Sequence, residues 1–259
     1  MAAARPASRL RYHPGMPHST ISTITFDAGN TLLYCDPSPA EIYAGALGRH
    51  GRAVAAEDVA PVFADAWADL QERTPPGIDR YSSQPGGEKA WWGVFLRDVL
   101  NRLDHDAAWE PLLDDLYDAF SQPDVWKAFP ETRQTLEAVG ARNLRMGVIS
   151  NWDRRLPEIL AALELDGFFE VVTVSAIEGV EKPAAAIFHR ALDRLGVRPE
   201  ETTHVGDSPL EDYQGAEAVG MRSVLIDRPG AFALNGYLRI GSLDQVLELI
   251  GSRQLKVDS

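Results

Sequence analysis

The feature that most constrains the fold is a regular alternation of strand and helix patterns after Pro130. Short β-rich runs alternate with longer stretches whose apolar residues recur at helical spacing. The predicted strands are 144–149, 169–174, 203–205 and 223–226, and the predicted helices are 154–163, 184–195 and 210–219. Another β-rich run, Ile21 to Phe26, precedes them. Repeated βα units predict an α/β fold, in which a doubly wound parallel sheet carries helices on both faces.

A long segment between the first strand and this region has a different pattern. From about Cys35 to Lys127 the strand signals vanish and apolar residues recur at helical spacing in two stretches. These residues are Val59, Val62, Phe63, Ala66, Trp67 and Leu70, and then Trp92, Phe95, Val99 and Leu103. A Pro/Gly/Ser-rich stretch, Thr74 to Gly87, separates the two predicted helices. We therefore expect a flexible leader over 1–19, an α/β core formed by 20–34 and 128–259, and an all-helical insert over 35–127.

Charge and cysteine content exclude several classes of function. The 259-residue chain has a formal net charge of −13, which disfavours a nucleic-acid backbone or an anionic membrane as a partner. Cys35 is the only cysteine, so the sequence predicts no intrachain disulfide and no thiolate zinc site. No apolar run approaches the length of a membrane span. We expect a cytoplasmic monomer or homodimer whose ligand is a small molecule.

The first sixteen residues allow two interpretations. Arg5, Arg9 and Arg11 lie among Ala, Ser and Pro without an acidic residue, a composition found in organelle-targeting leaders. A disordered tail, or a start assigned too early with Met16 as the true first residue, is the favoured alternative. Because there is no apolar h-region, secretion is disfavoured.

Polar residues stand at the carboxyl ends of the predicted strands. Asp27 follows the first strand, and Lys182-Pro183 lies beyond the strand at 169–174. The other groups are Ser150-Asn151, and Gly206-Asp207-Ser208 with Asp212. Each group alone is more often a cap, a turn or a solvated residue. Their occurrence at equivalent positions of one βα array favours a shared site, because ligands bind at this edge of parallel sheets.

The chemistry of these side chains is that of phosphoryl transfer. Three carboxylates, Asp27, Asp207 and Asp212, would repel one another unless a cation lay among them, and hard oxygen ligands favour Mg²⁺. Asp27 could attack phosphorus to form an aspartyl-phosphate. Ser150 and nearby backbone N–H groups would hold phosphoryl oxygens, while Lys182 would neutralise their developing charge. The sequence thus predicts a small phosphorylated substrate.

These motifs resemble the haloacid dehalogenase-like (HAD) hydrolase superfamily, in the subclass with a helical cap after the first motif. The matching residues are Phe26-Asp27-x-x-x-Thr31-Leu32, Ser150-Asn151, Lys182-Pro183 and Gly206-Asp207-Ser208-x-x-x-Asp212. The resemblance extends from about Thr20 to the last helix. It implies a Rossmann-like core and makes the insert a mobile cap.

The resemblance also implies individual roles. It implies Asp27 as nucleophile and Lys182 as catalytic lysine, and it implies Asp207 and Asp212 as metal ligands with Asp27 and the backbone carbonyl of Gly29. Ser150, Asn151 and Thr31 correspond to substrate-binding positions.

One position departs from the family pattern. Phosphatases of this family normally carry a second aspartate two residues after the nucleophile as general acid and base, and here that residue is Gly29. General acid–base catalysis typically contributes a factor of about 10²–10⁴, so we expect slow turnover of ordinary alkyl phosphates.

Two further activities and a non-catalytic function stay open. A metal-independent 2-haloacid dehalogenase is disfavoured by the retained pair Asp207 and Asp212. A phosphonoacetaldehyde hydrolase needs a cap lysine for a Schiff base, and the insert offers only Lys89 and Lys127 outside its first helices. Loss of the acid at Gly29 also fits a module that binds phosphate or a partner without catalysis.

The tryptophans of the insert could line a specificity pocket, although helical spacing favours most of them as core. They are Trp67, Trp91, Trp92, Trp109 and Trp126.

Overall fold

The computed structural model describes residues 20–73, 77–81, 84–105, 108–230 and 236–251, so the predicted leader over 1–19 lies outside the described residues. The strands are β1 (Thr23–Phe26), β2 (Leu33–Cys35), β3 (Trp126–Ala128), β4 (Arg145–Ser150), β5 (Val171–Val174), β6 (Thr202–Gly206), β7 (Arg222–Ile226) and β8 (Arg239–Ile240). The helices are α1 (Pro39–Arg49), α2 (Ala56–Arg73), α3 (Gly87–Arg102), α4 (Trp109–Ala119), α5 (Thr132–Gly140), α6 (Leu156–Ala162), α7 (Ser175–Glu178), α8 (Ala185–Leu195), α9 (Gly215–Ala218) and α10 (Val246–Gly251). None of these helices is long and apolar enough to cross a membrane.

The main sheet has six parallel strands in the order β5-β4-β1-β6-β7-β8, which confirms the predicted fold class. β1 lies between β4 and β6, and its last residue Phe26 pairs with Val148 on one side and Val205 on the other. The strand order reverses at β1, because the chain adds β4 and β5 on one side and β6 to β8 on the other. Such a reversal leaves a crevice at the carboxyl ends of the central strands.

Apolar clusters cover both faces of this sheet. One cluster joins β1 and β4 to α5, α6 and α10, with Leu136, Ile159 and Val246 among its fully buried members. The other joins β4 to α8, where Ile187 and Phe188 are fully buried. A parallel sheet covered on both faces explains why the strand segments are apolar runs instead of alternating patterns.

The insert contains α1 to α4, which share an apolar cluster of their own. The predicted helical regions correspond to α2 and α3, while α1 and α4 had no separate prediction. The start of α1 does have a sequence signature, because Ser38 and Glu41 form a capping box with Pro39 at the first helical position. The segment between α2 and α3 matches the predicted stretch from Thr74 to Gly87.

The insert joins the core through a two-stranded antiparallel ribbon of β2 and β3, in which Cys35 pairs with Trp126. The prediction that strand signals vanish across the insert is therefore wrong at its two ends, because strands of three residues are too short to show a period. The domain boundaries at 34/35 and 127/128 stay predictions, and both fall inside this ribbon.

Two local features of the core also differ from the predicted elements. The short helix α7 stands between β5 and Lys182, so the lysine lies in the loop before α8. The predicted helix at 210–219 begins as a π-helical turn, Pro209–Gln214, that carries Asp212 and continues into α9. Both features place these side chains beneath the carboxyl end of β1.

Candidate active site

A cavity of about 760 Å³ lies at the carboxyl ends of β1, β4 and β6 and is covered by the insert. The core side of this cavity is lined by Asp27, Ser150, Asn151, Asp207 and Asp212. It therefore occupies the crevice at the reversal of strand order, where ligands bind in open parallel sheets. The structure brings these five predicted residues together.

The loop that carries Asp27 is fixed by hydrogen bonds. The backbone N–H of Asp27 donates to the carbonyl of Val205 at 2.8 Å. Asn30 has a left-handed φ of 54°, a conformation that asparagine adopts more readily than most residues. Arg228, just beyond β7, donates from Nε to the Asn30 carbonyl at 2.9 Å and from Nη2 to the Thr31 carbonyl at 2.7 Å. These contacts hold the Asp27 loop against the sheet.

Lys182 lies directly beneath Asp27. Its Nζ donates to Asp27 Oδ1 at 2.7 Å, to Asp212 Oδ1 at 2.5 Å and to the carbonyl of Ile149 at 2.9 Å. The side chain of Asn151 accepts from the Lys182 backbone N–H at 2.7 Å and donates to the Lys182 carbonyl at 2.9 Å. Burial alone would lower the pKa of Lys182, but Asp212 and Asp27 raise it above its usual value. Lys182 is therefore a buried ammonium held in one place.

Asp212 is held from three sides. Besides Lys182, the backbone N–H of Ser208 donates to its Oδ2 at 2.9 Å, and His204 Nε2 lies 3.1 Å from its Oδ1. Burial alone would raise the pKa of Asp212, but Lys182 and His204 hold it well below its usual range. A Cβ at position 206 would lie 2.2 Å from Asp212 Cγ, so this close approach requires Gly206.

Three carboxylates, those of Asp27, Asp207 and Asp212, converge with ligand atoms within 4.8 Å of one another. Burial raises the pKa of Asp27, the charge of Lys182 opposes this shift, and the charge of Asp212 adds to it. Burial also raises the pKa of Asp207 to about 8, with the charges of Asp27 and Asp212 adding to it. A divalent cation would relieve the part of these shifts that comes from repulsion between the carboxylates, and hard oxygen donors suit Mg²⁺. The donor set fits such an ion.

Comparison with known proteins assigns the family. The profile of the haloacid dehalogenase-like hydrolases matches residues 21–220, which is most of the chain. The chain belongs to the haloacid dehalogenase-like hydrolase family. It is 36% identical over 206 residues to the mouse haloacid dehalogenase-like hydrolase domain-containing protein 3, a match that covers 78% of this chain and 80% of the mouse protein.

Two further relatives carry names that state an activity. A phosphoserine phosphatase from Thermus thermophilus is 33% identical over 175 residues, covering 64% of this chain and 70% of that protein. The solved structure of a 2-haloacid dehalogenase from Pseudomonas syringae superposes with a TM-score of 0.59 at 26% identity, covering 89% of this chain and 98% of the dehalogenase. The HAD hydrolases similar to this chain therefore include both phosphatases and dehalogenases.

Gly29, the departure from the HAD phosphatase pattern, faces an indole ring. A Cβ built at Gly29 would lie 3.2 Å from Cζ3 of Trp152, tighter than ordinary van der Waals contact. Trp152 packs edge-on against Trp126 of β3, with ring centroids 4.8 Å apart. The space into which a side chain at position 29 would extend is therefore occupied by Trp152.

The insert side of the cavity is rich in aromatic side chains. Of the five tryptophans of the insert, Trp67, Trp92 and Trp126 line the cavity, while Trp91 and Trp109 pack away from it. All five pack against apolar clusters, as expected for core residues, and three of them also border the cavity. Helical spacing cannot distinguish these two cases.

The guanidinium groups in the cavity wall are already matched by carboxylates. Arg80 donates from Nε to Glu181 Oε2 at 2.8 Å and from Nη2 to Glu211 Oε1 at 3.0 Å. Arg155 contacts Asp153 through Nε and Nη2, and its Nη1 donates to the carbonyl of Tyr117 at 2.9 Å. Both arginines thus link the insert to the core.

Two of the predicted site residues differ in position from the rest, and nothing in the sequence indicates two arginines that contact the site. Thr31 is fully buried and does not line the cavity, so the structure does not support its predicted contact with substrate. Gly29 does line the cavity, and its carbonyl as a metal ligand stays a prediction. His204 is buried in β6, and its ring orients Asp212. Arg80 and Arg228 carry no sequence signal, since their partners are distant in the chain.

Proposed function

We propose that this chain is a Mg²⁺-dependent phosphohydrolase that forms an aspartyl-phosphate on Asp27 from a small phosphate ester. The observation that carries the proposal is the position of Asp27, bonded to the buried ammonium of Lys182 and adjacent to two further carboxylates. A nucleophilic carboxylate, a fixed cation and a cation-binding acid pair are the parts that phosphoryl transfer needs.

Each residue of the site has a definite task in this reaction. Lys182 holds Asp27 Oδ1 and thereby fixes the orientation of the carboxylate. Ser150, at the end of β4, lies beside Asp27 and would donate its hydroxyl to a phosphoryl oxygen. A Mg²⁺ ion held by Asp27, Asp207 and Asp212 would neutralise charge on the phosphoryl group. After the ester oxygen leaves, water attacks phosphorus and regenerates the Asp27 carboxylate.

The charged groups that line the cavity favour phosphatase activity over the dehalogenase activity found in the same family. A haloacid substrate brings a carboxylate, which must be met by an available cationic group. Arg80 and Arg155, the guanidinium groups that line the cavity in the described residues, already contact carboxylates. The retained acids at 207 and 212 would add repulsion.

A phosphonatase-like activity is also disfavoured by the positions of the two lysines of the insert. Lys89 is exposed and pairs with Asp114 at 2.6 Å, and Lys127 lies in β3. Neither lysine lines the cavity, so neither is placed to form a Schiff base with a bound aldehyde.

The proposal is tested by assaying purified protein with and without Mg²⁺ against phosphate esters, phosphonoacetaldehyde and 2-haloacids. We expect turnover of phosphate esters only, dependent on Mg²⁺ and lost in Asp207→Asn. The matched control is Asp193→Asn, an exposed acid of α8, which should retain parental rates. Mg²⁺ should also raise the melting temperature of the parent and not of Asp207→Asn. Halide release without metal, or a melt indifferent to Mg²⁺, would contradict the proposal.

A further inference from the structure

We infer that the leaving-group side of the cavity binds an aromatic ring without a second anionic group, so that the substrates are phosphate monoesters of phenols. The inference rests on the proposed phosphohydrolase function and names its substrate class. Three independent observations carry it: the ring beside Gly29, the apolar wall of the insert, and the pairing of both wall arginines.

The first observation concerns the place of the missing acid. In the family pattern, the residue two positions after the nucleophile donates a proton to the departing oxygen, and here the indole of Trp152 borders that position. Trp152 is half-buried, lines the cavity and packs edge-on against Trp126, which lines the cavity as well. A leaving group departing from phosphorus opposite Asp27 therefore meets an aromatic face instead of a proton donor.

The second observation concerns the rest of the wall. Ten aromatic side chains of the described residues line the cavity, including Phe63, Trp67, Trp92 and Phe120 from the insert. Trp67 and Trp92 stack nearly parallel, with an interplanar angle of 19°. Aromatic walls favour offset or edge contacts with another ring.

The third observation concerns charge. Of the described residues that line the cavity, five are carboxylates, namely Asp27, Asp153, Asp207, Glu211 and Asp212, and two are arginines. Arg155 uses all three of its nitrogens on Asp153, Tyr117 and Ser121. Arg80 is bonded to Glu181 and Glu211. A leaving group with its own carboxylate or second phosphate would therefore find both guanidinium groups of this wall already engaged by carboxylates.

The chemistry agrees with an aryl ester. An Asp27 carboxylate oxygen forms a bond to phosphorus while the bond from phosphorus to the aryl oxygen breaks, and its electron pair leaves as a phenolate. A phenolate is stable enough to depart unprotonated and to take its proton later from water, so the absence of an acid at position 29 costs little. Water then attacks phosphorus, releases inorganic phosphate and restores the Asp27 carboxylate.

The test separates ring recognition from leaving-group reactivity. We would measure kcat/KM for two pairs of esters with similar leaving-group pKa values, 2-naphthyl against phenyl phosphate and benzyl against ethyl phosphate. Burial of the additional ring should favour the larger ester of each pair by at least about tenfold. Trp152→Leu and Trp126→Leu should reduce these ratios by about threefold to tenfold. Trp109→Leu, a partly exposed tryptophan away from the cavity, should leave them unchanged.

A binding measurement distinguishes failure of this inference from failure of the proposed function. Calorimetry on Asp27→Asn with Mg²⁺ should show 2-naphthyl phosphate binding more tightly than glycerol phosphate, a preference that Trp152→Leu reduces. Mg²⁺-dependent turnover with equal ratios within both pairs would overturn the aromatic subsite and leave the phosphohydrolase standing. Aromatic binding with no turnover of any phosphate ester would support the subsite and overturn the function. Faster cleavage of phosphoserine than of phenyl phosphate would also overturn the inference.

Discussion

At the scale of single residues, the site is a balance of charges around Lys182. Its ammonium contacts two buried carboxylates, while Asp207 has Asn30 as its hydrogen-bond donor at 3.1 Å. Asp212 thus stays ionised and Asp207 tends to hold a proton, its pKa being about 8. Neighbouring acids with opposite pKa shifts are typical of functional sites.

The first prediction at this scale concerns Gly29 and Trp152. The φ of Gly29 is not in the left-handed region, so the backbone accepts aspartate, but the new Cβ would press on the indole at 3.2 Å. Gly29→Asp combined with Trp152→Ala should therefore raise kcat for benzyl phosphate by about 10²-fold, and for phenyl phosphate by much less. Gly29→Asp alone should give a smaller gain. Equal gains for both esters in steady-state assays would show that position 29 supplies no proton.

The second prediction concerns Cys35, which borders the cavity. Burial, with Asp36 adding to it, raises the pKa of the Cys35 thiol to about 12. At pH 8 its thiolate fraction is then about 10⁻⁴, against roughly a quarter for an ordinary thiol. Alkylation by iodoacetamide should be at least about a hundredfold slower in the folded chain than in urea, and should accelerate about tenfold per pH unit from 8 to 10. Equal rates in both states would contradict this.

At the scale of elements, short segments connect the insert to the core at the site. The loop at 77–81 places Arg80 against Glu181, the residue before Lys182. The ribbon of β2 and β3 places Trp126 against Trp152. Because these contacts join residues far apart in sequence, the position of the insert and the shape of the cavity depend on the same few side chains.

A prediction at this scale is that Arg80→Met destabilises the fold by about 3–5 kcal/mol, because it leaves the Glu181 carboxylate buried without its guanidinium partner. The double variant Arg80→Met, Glu181→Leu should recover most of this loss. Urea unfolding measures both. The control, Lys89→Met, breaks an exposed pair with Asp114 and should cost less than about 1 kcal/mol. A loss in Arg80→Met no larger than in the control would show that the buried pair does not stabilise the fold.

At the scale of the whole molecule, the sequence predicts the core of the site better than its walls. Asp27, Ser150 and Asp207 could be placed because βα periodicity locates strand ends, and parallel strands bring those ends together. Trp152 and Arg80 could not be placed, since their effects depend on contacts between the insert and the core. The β2–β3 ribbon could not be predicted either, because strands of three residues are too short to show a period.

The central claim is that Asp27 is phosphorylated during turnover, and mass spectrometry of acid-quenched protein tests it most directly. With phenyl phosphate and Mg²⁺, the peptide containing Asp27 should gain the mass of one phosphoryl group within the first turnover and lose it once substrate is consumed. Asp27→Asn should show no adduct and should lose more than about a thousandfold in kcat while retaining the parental melting temperature. Turnover that persists in Asp27→Asn, or an adduct confined to another residue, would contradict the account.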